Sequence, residues 1–177
     1  HEDLFCKLFR KSQKKHLNFI LPNLKDFQCI NSNDWVILKM HQNFKISEIA
    51  INSIKWALNK DPFTKIIYGD EDYINEKDER YSPLFRPAWN KKLFITDPFY
   101  SSLYIIKGDI WNINFNHLKR SKKNLNKKII IINIINYLIQ NNLEKNIKHL
   151  PVILGHNLNN NRKLIDKKKL TAKHSKY

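Results

Sequence analysis

Apolar and polar positions along this chain follow two different periods, and the switches between them predict an alternating order of strands and helices. Leu17 to Leu21 is a short apolar run closed by Pro22 and Asn23, and reads as a strand. Trp35-Val36-Ile37-Leu38 is apolar throughout, the pattern of a buried strand. From Ser47 the period lengthens. Ile49, Ala50, Ile54, Ala57 and Leu58 recur near helical spacing, predicting a helix from a Ser47 N-cap to about Asn59, with Ile46 as a staple residue. Asp61-Pro62 stops it, and Lys65 to Tyr68 is the next strand, so that strand, helix and strand form a β-α-β unit. Asp72 to Pro87 reads as a hairpin-like loop with Asn75-Glu76-Lys77-Asp78 at its tip. Leu93 to Thr96 follows as a short helical turn, then Tyr100 to Lys107 as a strand. Lys128 to Gln140 is a helix with an unusually apolar face. His149 to Leu154 closes the order as a strand whose Pro151 requires an edge or a bulge. The chain is α/β and shows no internal repeat.

Charge singles out one stretch. The chain carries 32 basic and 16 acidic residues, yet seven of the acids fall between Asp61 and Glu79. Their centre, Asp70-Glu71-Asp72, directly follows the Lys65 to Tyr68 run. Carboxylates at the end of a buried strand can point into a cleft, where they bind a hard cation or position hydroxyls. The bland alternative is a solvated acidic turn capping a strand. Tyr68 itself reads as core.

A wider pattern surrounds the acids. Tyr68, Asp70, Glu71, Asp72 and Ile74 are followed by Pro83, Phe85, Arg86, Pro87 and Trp89, and later by His149-Leu150-Pro151-Val152-Ile153-Leu154-Gly155-His156. This resembles the family 2 glycosyltransferases of the GT-A fold, in the branch of O-antigen and related polysaccharide synthesis. There a strand ending in Tyr-(Ser/Thr)-Asp-Glu-Asp leads through a polar hairpin to Pro-x-Phe-(Lys/Arg)-Pro-x-Trp, and a late strand ends in Leu-Tyr-His. The resemblance spans roughly Asn33 to His156. It implies an incomplete GT-A-like, Rossmann-like mixed sheet flanked by helices, and transfer of a sugar from a nucleotide-sugar donor to a glycan or lipid-linked acceptor. It further implies substrate-binding roles for Asp70, Glu71, Asp72, Arg86, Trp89 and His156, and Mg²⁺ or Mn²⁺ held by Asp70 and Asp72.

Trp89 then either stacks on a sugar ring or anchors packing. Arg86 pairs with a diphosphate or with the acidic loop. His156 lies beside the floor of the site or caps the strand at the surface.

The chain departs from that family in two places. Where the family carries Asp-x-Asp-Asp after the Trp35 to Leu38 strand, this chain reads Lys39-Met40-His41-Gln42, a cation and an imidazole in place of a carboxylate pair. Lys39 can stabilise a leaving diphosphate, and His41 can act as a surrogate ligand or base. Downstream, Ser121 to Gln140 contains no Asp or Glu, so the acidic base of the family has no counterpart and the catalytic residue is unknown.

Length and composition set the outer bounds. At 177 residues one domain is expected, and two cysteines, Cys6 and Cys29, build no disulfide framework, so a reducing cytoplasm is the default. Ile129 to Ile139 is too short and too polar to cross a bilayer, and Lys11, Lys14 and Lys15 interrupt any secretory signal. The first residue is His rather than Met, from which we expect a fragment or processed product lacking an N-terminal nucleotide-binding half. We divide the chain into a degenerate segment 1–32, a partial glycosyltransferase-like domain 33–156 and a basic, disordered tail 157–177. The formal charge of +16 is carried by 27 Lys and five Arg. Lys-rich composition of this kind can arise by drift with no partner selected, and without a zinc finger or helix-turn-helix signature it argues against specific nucleic-acid recognition. The basic surface itself is the ground for expecting peripheral contact with an anionic membrane surface. The expected function is therefore glycosyltransferase-like. The alternative is a non-catalytic remnant or a binding or scaffolding module of the same descent.

Overall fold

Three short runs of β-branched and aromatic residues, Trp35 to Leu38, Ile66 to Tyr68 and Leu103 to Ile106, bury both of their faces and form the middle of the molecule. A computed structural model describes residues 17–21, 30–96, 101–120 and 126–158, with the backbone alone for 116–120. Within it, β1 (Phe19–Ile20), β2 (Trp35–Lys39), β3 (Phe44–Ile46), β4 (Ile66–Ile74), β5 (Arg80–Leu84), β6 (Leu103–Lys107) and β7 (Ile147–Leu158) form one mixed sheet. Among the described residues four α-helices accompany it: α1 (Ala50–Lys60), α2 (Lys91–Thr96), α3 (Gly108–Arg120) and α4 (Lys127–Gln140).

The strand order is β1-β2-β6-β4-β7-β3, with β5 paired to the far half of β4. β2, β4 and β7 run one way, and β6 runs against both β2 and β4. The expected β-α-β unit of β2, α1 and β4 therefore has its two strands parallel but not adjacent, because β6 lies between them.

Strand alternation then makes two cores. Trp35, Ile37, Ile67, Leu103 and Ile105 pack with Ala50, Ile51, Ile54, Ala57 and Leu58 of α1. Val36, Leu38, Ile66, Tyr68, Tyr104 and Ile106 pack on the opposite face with Ile110 and Trp111 of α3 and with Ile130, Ile131, Ile134, Ile135 and Leu138 of α4. Each fully buried aliphatic side chain contributes about 1.5–3 kcal/mol. The fold is α/β, a mixed sheet flanked by helices in the manner of an incomplete Rossmann-like domain. No helix among the described residues is long and apolar enough to cross a membrane.

Several boundaries differ from the sequence reading, each for a local reason. β4 does not stop at Tyr68 but continues through the acidic cluster to Ile74, because β7 and β5 pair with it there. Ser47 is not the N-cap. It is tied to β7 by its N–H to the Leu154 carbonyl, and α1 begins at Ala50 after Ile49, which supplies no side-chain cap. β3 was not expected, since three residues carry too little pattern. α3 was not expected either, although Ile110, Trp111, Asn114 and Phe115 are buried at helical spacing. The end of α4 follows a familiar closure. Asn142 takes a left-handed conformation (φ 56°), Leu143 N–H reaches the Leu138 carbonyl, and Asn142 N–H reaches that of Ile139.

Pro151 sits in the bulge against β4, exposed and before the stretch of β7 that β3 covers, Gly155 to Asn157. β1 joins the same sheet as the expected central domain, and the expected disordered tail lies, beyond Leu158, outside the described residues.

Candidate functional site

The bulge in β7 builds the site. Gly69 faces Leu150, but Asp70 faces Ile153, Glu71 faces Gly155 and Asp72 faces His156. With unbroken pairing from the Tyr68–His149 position, Ile153 would have stood opposite Asp72. The inserted residues deliver an imidazole there instead.

The acids are interior, not a solvated turn: Asp70 is 5% exposed, Glu71 1% and Asp72 3%. Buried carboxylates persist only when paired and hydrogen-bonded, and each of these is. Asp70 Oδ1 accepts from the Arg86 backbone N–H at 2.8 Å and meets His149 Nε2 at 2.8 Å. Glu71 accepts from the Arg86 guanidinium and from Ser102 N–H at 3.0 Å. Asp72 is held by Arg80 Nε at 2.7 Å and by His156 Nδ1. Burial lowers the Arg86 pKa, opposed by the neighbouring Tyr104 and Asp70.

The Pro83 to Trp89 loop is fixed over this network from two sides. Tyr68 Oη donates to the Pro87 carbonyl at 2.8 Å, and desolvation raises the phenol pKa so that it stays protonated. Trp89, half-buried, packs against Phe94 with ring centroids 5.3 Å apart. Its ring thus serves as a packing anchor. His149 lies over Tyr68, ring centroids 5.2 Å apart.

The Lys39–His41 slot adjoins the acids through Ser102. Ser102 binds Glu71 with its N–H, while its hydroxyl lies 3.0 Å from His41 Nε2 and 3.3 Å from Asn157 Oδ1. Lys127, the first residue of α4, donates from Nζ to the Lys39 carbonyl at 2.6 Å. Desolvation and then Lys127 lower the His41 pKa, with Lys39 adding to the effect and an Asn157 hydrogen bond opposing it. The Lys127 pKa is lowered in turn by desolvation and by Lys39.

All of the sequence-derived candidates except Trp89 therefore belong to one connected polar network. Five further members escaped the sequence: Arg80, Ser102, Lys127, His149 and Asn157. Only Arg80 carried a usable signal, since the tip at Asn75 to Asp78 folds it back toward Asp72. The others arrive through strand register or helix packing. As metal ligands, Asp70 and Asp72 do not fit in this arrangement. The oxygens bound here accept from N–H groups, and among the described residues no three His, Cys, Asp or Glu side chains are grouped to hold an ion.

No protein-family model matches the chain, and no curated protein matches it significantly.

Proposed function

We propose that this chain is a divergent family 2 glycosyltransferase-like domain, which takes a sugar from a nucleotide-sugar donor toward a glycan or lipid-linked acceptor in cell-surface polysaccharide synthesis. The observation that carries the reading is convergence. Asp72 and His156 are 84 residues apart, Glu71 and Arg86 are 15 apart, and both pairs close into a single cluster beside Lys39 and His41. In this reading the Asp70 to Asp72 segment, Arg86 and His156 shape the acceptor side, and the Lys39–His41 slot takes the donor phosphates. A divalent cation, Mg²⁺ or Mn²⁺, enters the test below and no step is routed through it. A cytoplasmic setting with peripheral contact to an anionic membrane fits the net charge of +16.

One observation favours a second reading, that of a non-catalytic binding module. All three carboxylates are already engaged by protein cations or N–H donors, leaving none placed to deprotonate an acceptor hydroxyl.

Thermal melting of the purified chain with UDP-, GDP- and dTDP-sugars, with and without Mn²⁺, separates the two. A ligand at about 100 times its Kd stabilises by about 2.7 kcal/mol, which shifts a cooperative melt measurably. We expect one nucleotide class to raise Tm, with sugar release or transfer when an acceptor is supplied. A shift without turnover supports the module. Flat curves with every nucleotide sugar in a cooperatively folding sample sink the donor-binding reading.

A further inference from the structure

Among the described residues, three groups able to carry positive charge stand at the end of β2 with no carboxylate paired to them. Lys39 closes the strand, His41 follows it, and Lys127 is brought across from α4. The fold places the Lys127 ammonium and the His41 ring, and it places Lys39 through its backbone. The Lys127 ammonium is held 2.6 Å from the Lys39 carbonyl, Met40 N–H is bonded to the Ser102 carbonyl at 2.9 Å, and His41 Nε2 lies 3.0 Å from Ser102 Oγ. Among the described residues, neither ammonium forms an ion pair with a carboxylate. Glu71, which Ser102 links to His41, is already matched by Arg86.

Holding like charges together in a partly desolvated place is unfavourable: desolvation lowers the pKa of both His41 and Lys127, and neighbouring cations add to it, Lys127 and Lys39 at His41 and Lys39 at Lys127. An anion removes it. The surrounding donors also fit an oxyanion: two flexible ammonium groups and an imidazole edge.

We propose that Lys39, His41 and Lys127 form a metal-independent binding site for a diphosphate. The site deepens the glycosyltransferase reading, on which it rests for the larger ligand, by assigning the charge compensation of that ligand to side chains of this chain and by adding Lys127. The two ammonium groups meet the phosphate oxygens directly, and the anion favours the protonated form of His41. The groups facing that imidazole are Lys39 of β2, the Phe44 ring of β3 edge-on at 5.9 Å, Ser102 before β6, Asn157 of β7 and Lys127 of α4.

The test is calorimetric titration of the intact chain with inorganic pyrophosphate in EDTA. Saturable one-site binding is expected. Lys39→Ala and Lys127→Ala should each weaken it at least about tenfold, whereas Lys60→Ala on α1 leaves it unchanged. Binding that needs Mn²⁺, or equal losses in all three variants, overturns the site and leaves only diffuse charge. Should a variant fail to fold, NMR titration of the unaltered chain decides instead. Pyrophosphate should raise the His41 pKa, and an unmoved His41 pKa at saturation refutes the site.

Competition by a nucleoside diphosphate and by a short prenyl diphosphate then names the source of the anion. Pyrophosphate binding with no gain from any nucleotide sugar keeps the site and removes the transferase reading. Nucleotide-sugar binding that depends on Mn²⁺ and ignores Lys127→Ala does the reverse.

Discussion

Arg86 shows at the scale of one residue how this chain keeps three consecutive acids inside a sheet. Its backbone N–H serves Asp70 and its guanidinium serves Glu71, so a single loop residue matches two carboxylates. The Glu71 side chain is 1% exposed and that of Arg86 22%, which makes the pair largely desolvated. Breaking such a pair from one side leaves a buried charge uncompensated and costs about 3–5 kcal/mol. Arg86→Met should therefore lower the urea midpoint by an amount equivalent to about 3 kcal/mol or more. Adding Glu71→Gln to it should recover most of the loss. A single variant that melts like the parent would mean that Glu71 is solvated or protonated, and the network described above would be wrong. The sequence named both residues as candidates, Glu71 at the end of a strand and Arg86 in the Pro-rich approach to Trp89. What it left open was the partner of each, because an Arg beside an acidic run can face either solvent ligands or the run itself.

The element that decides the site is β7. Its pattern, apolar with Pro151 in the middle, was legible as an irregular strand, but not the position of the irregularity against β4. Gly155 is what permits the close approach at that point. A Cβ on Gly155 would lie 2.6 Å from the Lys45 carbonyl and would collide with the Phe44 ring, so a side chain there separates β3 from β7. Gly155→Ala should destabilise the fold by about 1–3 kcal/mol, the usual range for overpacking. It should also broaden the NMR signals of His156 and Lys45, which pair across from each other or beside it. An unchanged melt would show that β3 yields at little cost and does not brace the site. Helices α1 and α4 were the most legible elements, since each carries one apolar stripe over three or more turns. α3 was missed because its buried face includes Asn114, which weakens the stripe.

For the whole molecule the dominant fact is a formal charge of +16 on 177 residues. Fifteen Lys and Arg against two acids fall between His117 and Tyr177, so the repulsion is unevenly spread along the chain. Self-repulsion of that size opposes the compact state and is screened over about 10 Å at 0.1 M salt. Raising NaCl from about 20 to about 200 mM should therefore raise Tm by a few degrees in the absence of any anion ligand. A Tm that falls instead would show that the internal ion pairs outweigh the surface repulsion. Sulfate should stabilise more than chloride at equal ionic strength if the Lys39, His41 and Lys127 site binds oxyanions.

What the sequence by itself determined is the α/β order, the two-faced burial of the central strands and the concentration of acids and aromatic residues on one strand–loop–strand segment. These are local patterns, carried by residues close together in the chain. Only the tertiary structure decided that β6 inserts between β2 and β4 and that Ser102 joins the acidic cluster to the cationic slot. It alone brought Lys127 to Lys39, and His149 and His156 to their aspartates. Those choices turn on strand register and helix docking. A shift of a residue or two exchanges one neighbour for another while leaving the hydrophobic pattern almost untouched.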